Sequence, residues 1–164
     1  GGSTNSVLHL MGIANEAEIE FPLSEINRIS GKTPHLSRLS PAGEHHIEDL
    51  DLAGGIPAVM KEVGSILSMD VKRVSGRSLK EELAEAEVRD REVIRPVSQP
   101  HSPTGGLTML FGNLAPEGAV VKSAAVAPQM LTHKGQARVF DSEDEATEAI
   151  MARAIKPGEV VVIR

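Results

Sequence analysis

Thr104-Gly105-Gly106-Leu107-Thr108-Met109-Leu110-Phe111-Gly112-Asn113-Leu114-Ala115-Pro116-Glu117-Gly118-Ala119-Val120-Val121-Lys122 divides the chain into two kinds of pattern. Before it, apolar residues recur mostly at helical spacing; after it, they come in short β-branched runs. Within and just beyond it, Leu107 to Phe111 and Ala119 to Val126 read as strands. Between them Ala115-Pro116-Glu117-Gly118 suits a type I turn, because proline presets φ at the second position and glycine is favoured at the fourth. The expectation is an α+β chain, with a helical N-terminal half over residues 1–103 and a mostly β portion with one helix over residues 104–164.

Reading toward the N-terminus, Val93-Ile94-Arg95-Pro96 to Pro103 is rich in Pro, Ser, Gln and His and reads as a linker or domain crossing. Before it, Ser78-Leu79-Lys80-Glu81 is a capping box opening a helix, with Leu79, Leu83 and Ala86 inward and the charged run Glu81 to Glu92 as its solvated side. Val71 to Val74 is strand-like. Gly54-Gly55 opens the clearest helix, with Pro57 in its first turn, where a missing N–H costs little, and Val59, Met60, Val63, Ile66 and Leu67 on one face. Glu44-His45-His46-Ile47-Glu48-Asp49-Leu50 holds two histidines and three carboxylates. Neighbouring histidines point to different faces, so a polar helix start is favoured over a metal site. Thr33 to Gly43 carries Pro34 and Pro41 and reads as an ordered loop. Pro22 to Ile29 reads as a short helix capped by Ser24.

At the N-terminus, Val7, Leu10, Met11 and Ala14 form the stripe of a helix from Ser6 to about Glu18. Ser3, Thr4 or Asn5 would cap it, and His9 within it reads as a packed or surface histidine. A Gly-Gly-Ser-Thr-Asn turn before a helix also converges free N–H groups and hydroxyls at the positive end of the helix dipole, which is chemistry for holding an anion. The plain N-cap is the simpler reading. Toward the C-terminus, Gln136 to Phe140 reads as a strand. Ser142-Glu143-Asp144-Glu145 is a second capping box, whose helix buries Ala146, Ala149, Ile150 and Ala154. Lys156-Pro157-Gly158 stops that helix, and Glu159 to Ile163 is a last strand.

Composition bounds the function. Aromatics are 2% of the 164 residues, so the core is aliphatic. The formal charge is −6 and no basic face is interleaved with aromatics, which argues against nucleic-acid binding. Apolar runs fall short of the roughly 20 residues that span a bilayer, and no basic-then-apolar leader is present, so a cytoplasmic, soluble protein is expected. With no cysteine, the chain has no thiolate for a disulfide, a nucleophile or an iron–sulfur cluster. Walker, dinucleotide and Gly-x-Ser-x-Gly motifs are absent from the sequence. A chain entering a helix at once and ending in a strand reads as a piece of something longer.

Several motifs in order resemble the dihydroxy-acid and 6-phosphogluconate dehydratase family. They are Gly1-Gly2-Ser3-Thr4-Asn5 with Leu8-His9-Leu10, Glu48-Asp49-Leu50, Ala53-Gly54-Gly55-Ile56-Pro57-Ala58-Val59, Asn113-Leu114-Ala115-Pro116-Glu117-Gly118, Arg138-Val139-Phe140-Asp141-Ser142-Glu143 and Lys156 to Arg164. Residues 48–50 and 113–118 look more like the dihydroxy-acid than the 6-phosphogluconate branch. The resemblance implies that residues 1–103 are the tail of a large α/β N-terminal domain and residues 104–164 the start of the C-terminal β domain.

It also implies a hydro-lyase that turns a 2,3-dihydroxy acid into a 2-keto acid in branched-chain amino-acid synthesis. An iron–sulfur cluster would act at the departing 3-hydroxyl, Mg²⁺ on the carboxylate side, and a serine base at C2. The family forms homo-oligomers, dimers or tetramers. Its cluster cysteines, metal carboxylates and catalytic serine have no counterpart here, so no catalytic or metal residue is assigned and the chain alone is expected to be inactive. Ser3, Thr4 and Asn5 remain as candidate substrate-binding residues. The alternatives are a sugar-acid or 6-phosphogluconate dehydratase and a non-catalytic binding module.

Overall fold

In the computed structural model, which describes residues 2–164, two compact units are found, Gly1–Ala125 and Val126–Arg164. Helices and small two-stranded sheets give the expected α+β class.

In the first unit, α1 (Asn5–Glu16) and α2 (Leu23–Ser30) are followed by α3 (Ile47–Leu52), α4 (Gly55–Glu62) and α5 (Leu79–Glu82). Strands β1 (Thr108–Leu110) and β2 (Ala119–Val121) then pair antiparallel, with Met109 opposite Val120. The turn between them forms as expected, Gly118 N–H donating to the Ala115 carbonyl with Gly118 at φ 110°. β2 is shorter than its apolar run, because Ser123–Ala125 turns into a single 3-10 coil. α2 lies against β1, fastened by side chains. Both polar atoms of the Asn27 carboxamide bond the backbone of Met109, and Ser30 Oγ donates to the Leu107 carbonyl at 2.8 Å.

The core centres on Leu50, Ala53, Ala58, Val93 and Ile94, with Leu39, Val59 and Val88 packed against it. This corrects several expectations. Val93 and Ile94 are not linker: Ile94 is fully buried, and Arg95 N–H donates to the Leu36 carbonyl. The capping box at Ser78 is present, but α5 ends at Glu82, so residues 83–92 are not the solvated side of a helix. They wrap the α3–α4 corner instead. Arg89 N–H donates to the Ala53 carbonyl, Lys61 Nζ reaches the carbonyls of Ala84 and Ala86, and Arg91 pairs with Glu62 at 2.8 Å. That close wrapping is why Gly54 is glycine: its φ is 121°, and a Cβ there would lie 2.1 Å from the Glu87 carbonyl oxygen.

Along α4 the most buried position is Ala58 rather than the bulkier Val59 and Met60, which are half-buried; a small residue lets the wrapped segment approach. Val71 to Val74 forms no strand. Among the described residues its one ladder contact is the Lys72–Ser78 bridge, and Val74 stands fully in solvent. α2 is entered from Pro22, with Ser24 inside its first turn, so Ser24 is not the cap.

In the second unit, β3 (Ala137–Phe140), α6 (Glu143–Met151) and β4 (Val160–Ile163) form one β-α-β unit. The strands run parallel with Val139 opposite Val162, and α6 supplies the crossover that parallel pairing requires. Ser142 Oγ accepts the Glu145 N–H, as the box predicts, but the Glu145 carboxylate returns to Asp141 N–H rather than to Ser142. Ala146 alone on this helix is buried; Ala149 and Ile150 are not, and neither is Ala154 beyond its end, because within this unit only a two-stranded sheet lies against α6.

Candidate functional site

The turn that opens α1 is made of backbone and one hydroxyl. Ser3 Oγ accepts the Asn5 N–H at 3.2 Å, and the carbonyls of Ser3 and Thr4 accept from Ser6 and Val7. Thr4 is the N-cap by position, yet its backbone is already helical and its side chain makes no cap bond. Among the described residues, neither the Thr4 hydroxyl nor the Asn5 carboxamide has a hydrogen-bond partner. Ser3 and Asn5 are exposed and Thr4 is half-buried. Three small polar groups are thus presented at the positive end of a twelve-residue helix, two with their side chains unspent.

Immediately before them, Gly2 borders a cleft of about 240 Å³ lined mainly by apolar side chains, among them Leu10, Phe21, Ile26, Ile29 and Leu107. A Cβ on Gly2 would sit 3.6 Å from Leu107 Cδ1. Ser3, Thr4 and Asn5 do not themselves line this cleft; they continue the chain from its rim. The arrangement joins an aliphatic recess to a polar helix start, a pairing suited to a small acid with a hydrocarbon tail.

The other candidates fall elsewhere. His9 is exposed on α1. His46 caps α3, its N–H donating to Asp49 Oδ2 at 2.7 Å, while His45 Nδ1 stands 4.0 Å from the same carboxylate. Residues 44–50 are therefore a helix start. The donor set does not fit an iron–sulfur cluster or a metal ion: the chain has no cysteine, and among the described residues no three His, Asp or Glu side chains converge.

Sequence reasoning missed a histidine pair. His35 and His101 are 66 positions apart, so no local spacing announces them. An antiparallel bridge brings them together, His35 N–H donating to the Ser102 carbonyl and His101 N–H to the His35 carbonyl. Their rings lie 6.0 Å apart. Burial, with Arg95 nearby, pushes His101 down to about 4, and burial likewise lowers His35, so both imidazoles are neutral at pH 7.

The helix-start turn and the apolar cleft thus both belong to the helical portion that precedes the first strand pair. Family models for the dihydroxy-acid/6-phosphogluconate dehydratase N-terminal and C-terminal regions match residues 1–82 and 92–164. The chain belongs to that family. It is 57% identical to the dihydroxy-acid dehydratase of Caldanaerobacter subterraneus subsp. tengcongensis, 58% to that of Acetivibrio thermocellus and 54% to that of Aquifex aeolicus. In each case all of the chain is aligned, and it spans 30% of the relative's length.

Proposed function

We propose that this chain is part of a hydro-lyase that dehydrates 2,3-dihydroxy carboxylic acids to 2-keto acids, in the synthesis of branched-chain amino acids. The observation that carries this reading is identity of 54–58%, along the whole chain, to proteins named dihydroxy-acid dehydratase. In the net reaction the C2 proton and the C3 hydroxide leave as water, and the resulting enol takes a proton at C3. The iron–sulfur cluster and Mg²⁺ of this reading would be held by residues other than those of this chain, whose side chains do not fit them.

What this chain contributes is binding. The Thr4 hydroxyl, the Asn5 carboxamide and the Ser3 turn form a polar wall for the acid, and the neighbouring aliphatic cleft takes its branched tail. The reading includes a domain division near residues 103 and 104, where the sequence pattern changes from helical to strand-like; the compact units of the fold divide later, between Ala125 and Val126. It also includes a cytoplasmic homo-oligomer, a dimer or tetramer. Among the described residues, no helix is long and apolar enough to cross a membrane.

The test is keto-acid formation by the full-length protein, reconstituted without oxygen and offered 2,3-dihydroxyisovalerate, 6-phosphogluconate and a pentonate in parallel. Preference for the branched acid supports the reading. Preference for either sugar acid moves the parent to the other branch, and silence on all three with intact cofactor refutes it. Asn5→Ala is expected to raise KM for the preferred acid by about tenfold, the loss of roughly one charge-assisted hydrogen bond.

A further inference from the structure

The cleft that Gly2 borders has walls whose chemistry limits what they can hold. Leu10 of α1, Ile26 and Ile29 of α2, and Leu107 just before β1 supply most of its surface. Among the described residues, no Asp, Glu, Lys or Arg borders it. Three polar side chains do, and each is already tied to a backbone carbonyl. Ser30 Oγ donates to Leu107 at 2.8 Å, Thr33 Oγ1 to Ile29 at 2.7 Å and His35 Nε2 to Ser37 at 2.9 Å. A hydroxyl has one proton and a neutral imidazole one N–H, so none of the three has a donor left for a ligand oxygen.

The two walls are fastened to each other twice through Ser30. Its hydroxyl holds the Leu107 carbonyl, and its own carbonyl accepts the Gly105 N–H at 2.8 Å. A Cβ on Gly105 would lie 2.6 Å from Ser30 Oγ, so glycine is what keeps the walls at this spacing. The space between them is about 240 Å³. At roughly 30 Å³ for each water-sized group, a three-carbon isopropyl tail leaves more than half of it open. Ile29 and Leu10 are still 41% and 50% exposed, so further hydrocarbon laid against them removes apolar surface from water.

We propose that this cleft is a selectivity pocket for the substrate tail, with Leu10 and Ile29 as specificity-determining residues. It takes 2,3-dihydroxy acids with hydrocarbon tails, including tails longer than isopropyl, and turns away tails that carry hydroxyl or phosphate groups. The proposal rests on the dehydratase reading above. A tail hydroxyl entering the cleft gives up its bonds to water and meets no side-chain donor, and a phosphate gives up more with no cation to receive it. Leu10 and Ile29 act on the tail, not on the reacting carbons C2 and C3.

The test is a matched pair of substrates, 2,3-dihydroxyhexanoate and gluconate, which share a six-carbon skeleton and differ by the hydroxyls at C4, C5 and C6. Both are offered, with the same configuration at C2 and C3, to the full-length, cofactor-replete protein alongside 2,3-dihydroxyisovalerate. The hexanoate is expected to show a kcat/KM within about tenfold of the branched acid and about a hundredfold or more above gluconate, the discrimination an apolar pocket exerts against an added hydroxyl. Ile29→Ser and, separately, Leu10→Gln are expected to narrow the hexanoate-to-gluconate ratio at least fivefold, chiefly through KM. Both positions are exposed, so both variants are expected to fold. A hexanoate that is not turned over, a pair used equally well, or a ratio that both variants leave unchanged overturns the proposal. Any of those results with the branched acid still dehydrated leaves the dehydratase reading standing, whereas no turnover of all three with intact cofactor removes both.

Discussion

Asn27 treats the edge of β1 as if it were itself a strand: its Oδ1 accepts the Met109 N–H at 2.7 Å and its Nδ2 donates to the Met109 carbonyl at 2.9 Å. Met109 is among the most buried residues of the unit, so these two backbone groups have no recourse to water. Asn27→Ala is expected to cost about 2 kcal/mol, the sum of two modest net bonds and two polar groups left unmet. Denaturant melts of the variant and faster exchange of the Met109 amide check it. Asn27→Asp is expected to cost at least as much, because the carboxylate loses the donor and faces a carbonyl.

Gly54 lies directly against the 84–91 segment, with no room for a side chain between them. Gly54→Ala places a methyl against the Glu87 carbonyl and the Ala58 side chain at a φ that L-residues rarely adopt. The expected loss is about 3 kcal/mol or more, from overpacking and backbone strain together. A thermal melt unchanged by this substitution would show that the segment does not lie against the corner.

The histidine pair makes stability depend on pH in a defined direction. Because His101 falls to about 4 from an ordinary 6.5, the unfolded chain takes up a proton between those values while the folded chain does not. Stability is therefore complete above pH 6.5 and declines as pH falls from there toward 4. The groups facing the ring are Arg95, His35, Arg38 and His45, all of which oppose its charging. After discounting for solvent screening, the decline from this residue is about 1 kcal/mol. Melts from pH 7 to 4 should show it, and His101→Phe should flatten the profile.

Helix α1 carries a broad apolar face, with Asn5, His9, Gly12 and Glu16 sharing the side opposite Val7. Val7 is buried, while Leu8 and Ile13, which turn away from it, are 68% and 66% exposed. So wide an apolar face, with Leu8, Leu10, Met11 and Ile13 all exposed, is normally covered, and the relatives are longer than this chain, which spans 30% of them. Leu8→Lys combined with Ile13→Lys is expected to destabilise the full-length protein by about 3 kcal/mol, the transfer of two large aliphatic side chains. An unaltered melt would mean that this face stays in solvent.

How much of this was legible depended on whether the signal was local. The β1–β2 turn was readable because Pro116 and Gly118 impose backbone conformations by themselves. The capping serines Ser78 and Ser142 were readable for the same reason, each closing on a residue three positions away. What failed was long-range. Nothing near Ile94 says that a Pro-rich stretch will fill the core, since its partners Leu50 and Ala58 lie some forty residues back. Val71 to Val74 has strand propensity but no neighbouring strand to pair with, and propensity yields to context. In the candidate site, Ser3, Thr4 and Asn5 were identifiable as a helix start, whereas Asn27, His35 and His101 act through contacts that spacing does not encode.

The central claim concerns the fate of one hydrogen, and it is tested most directly by running the full-length, cofactor-replete protein in D₂O with 2,3-dihydroxyisovalerate. Proton NMR of the product should show a 2-keto acid that has lost the C2 proton to solvent and carries deuterium at C3. Absence of any keto acid, or a product whose C3 position holds no deuterium, would contradict dehydration through an enol.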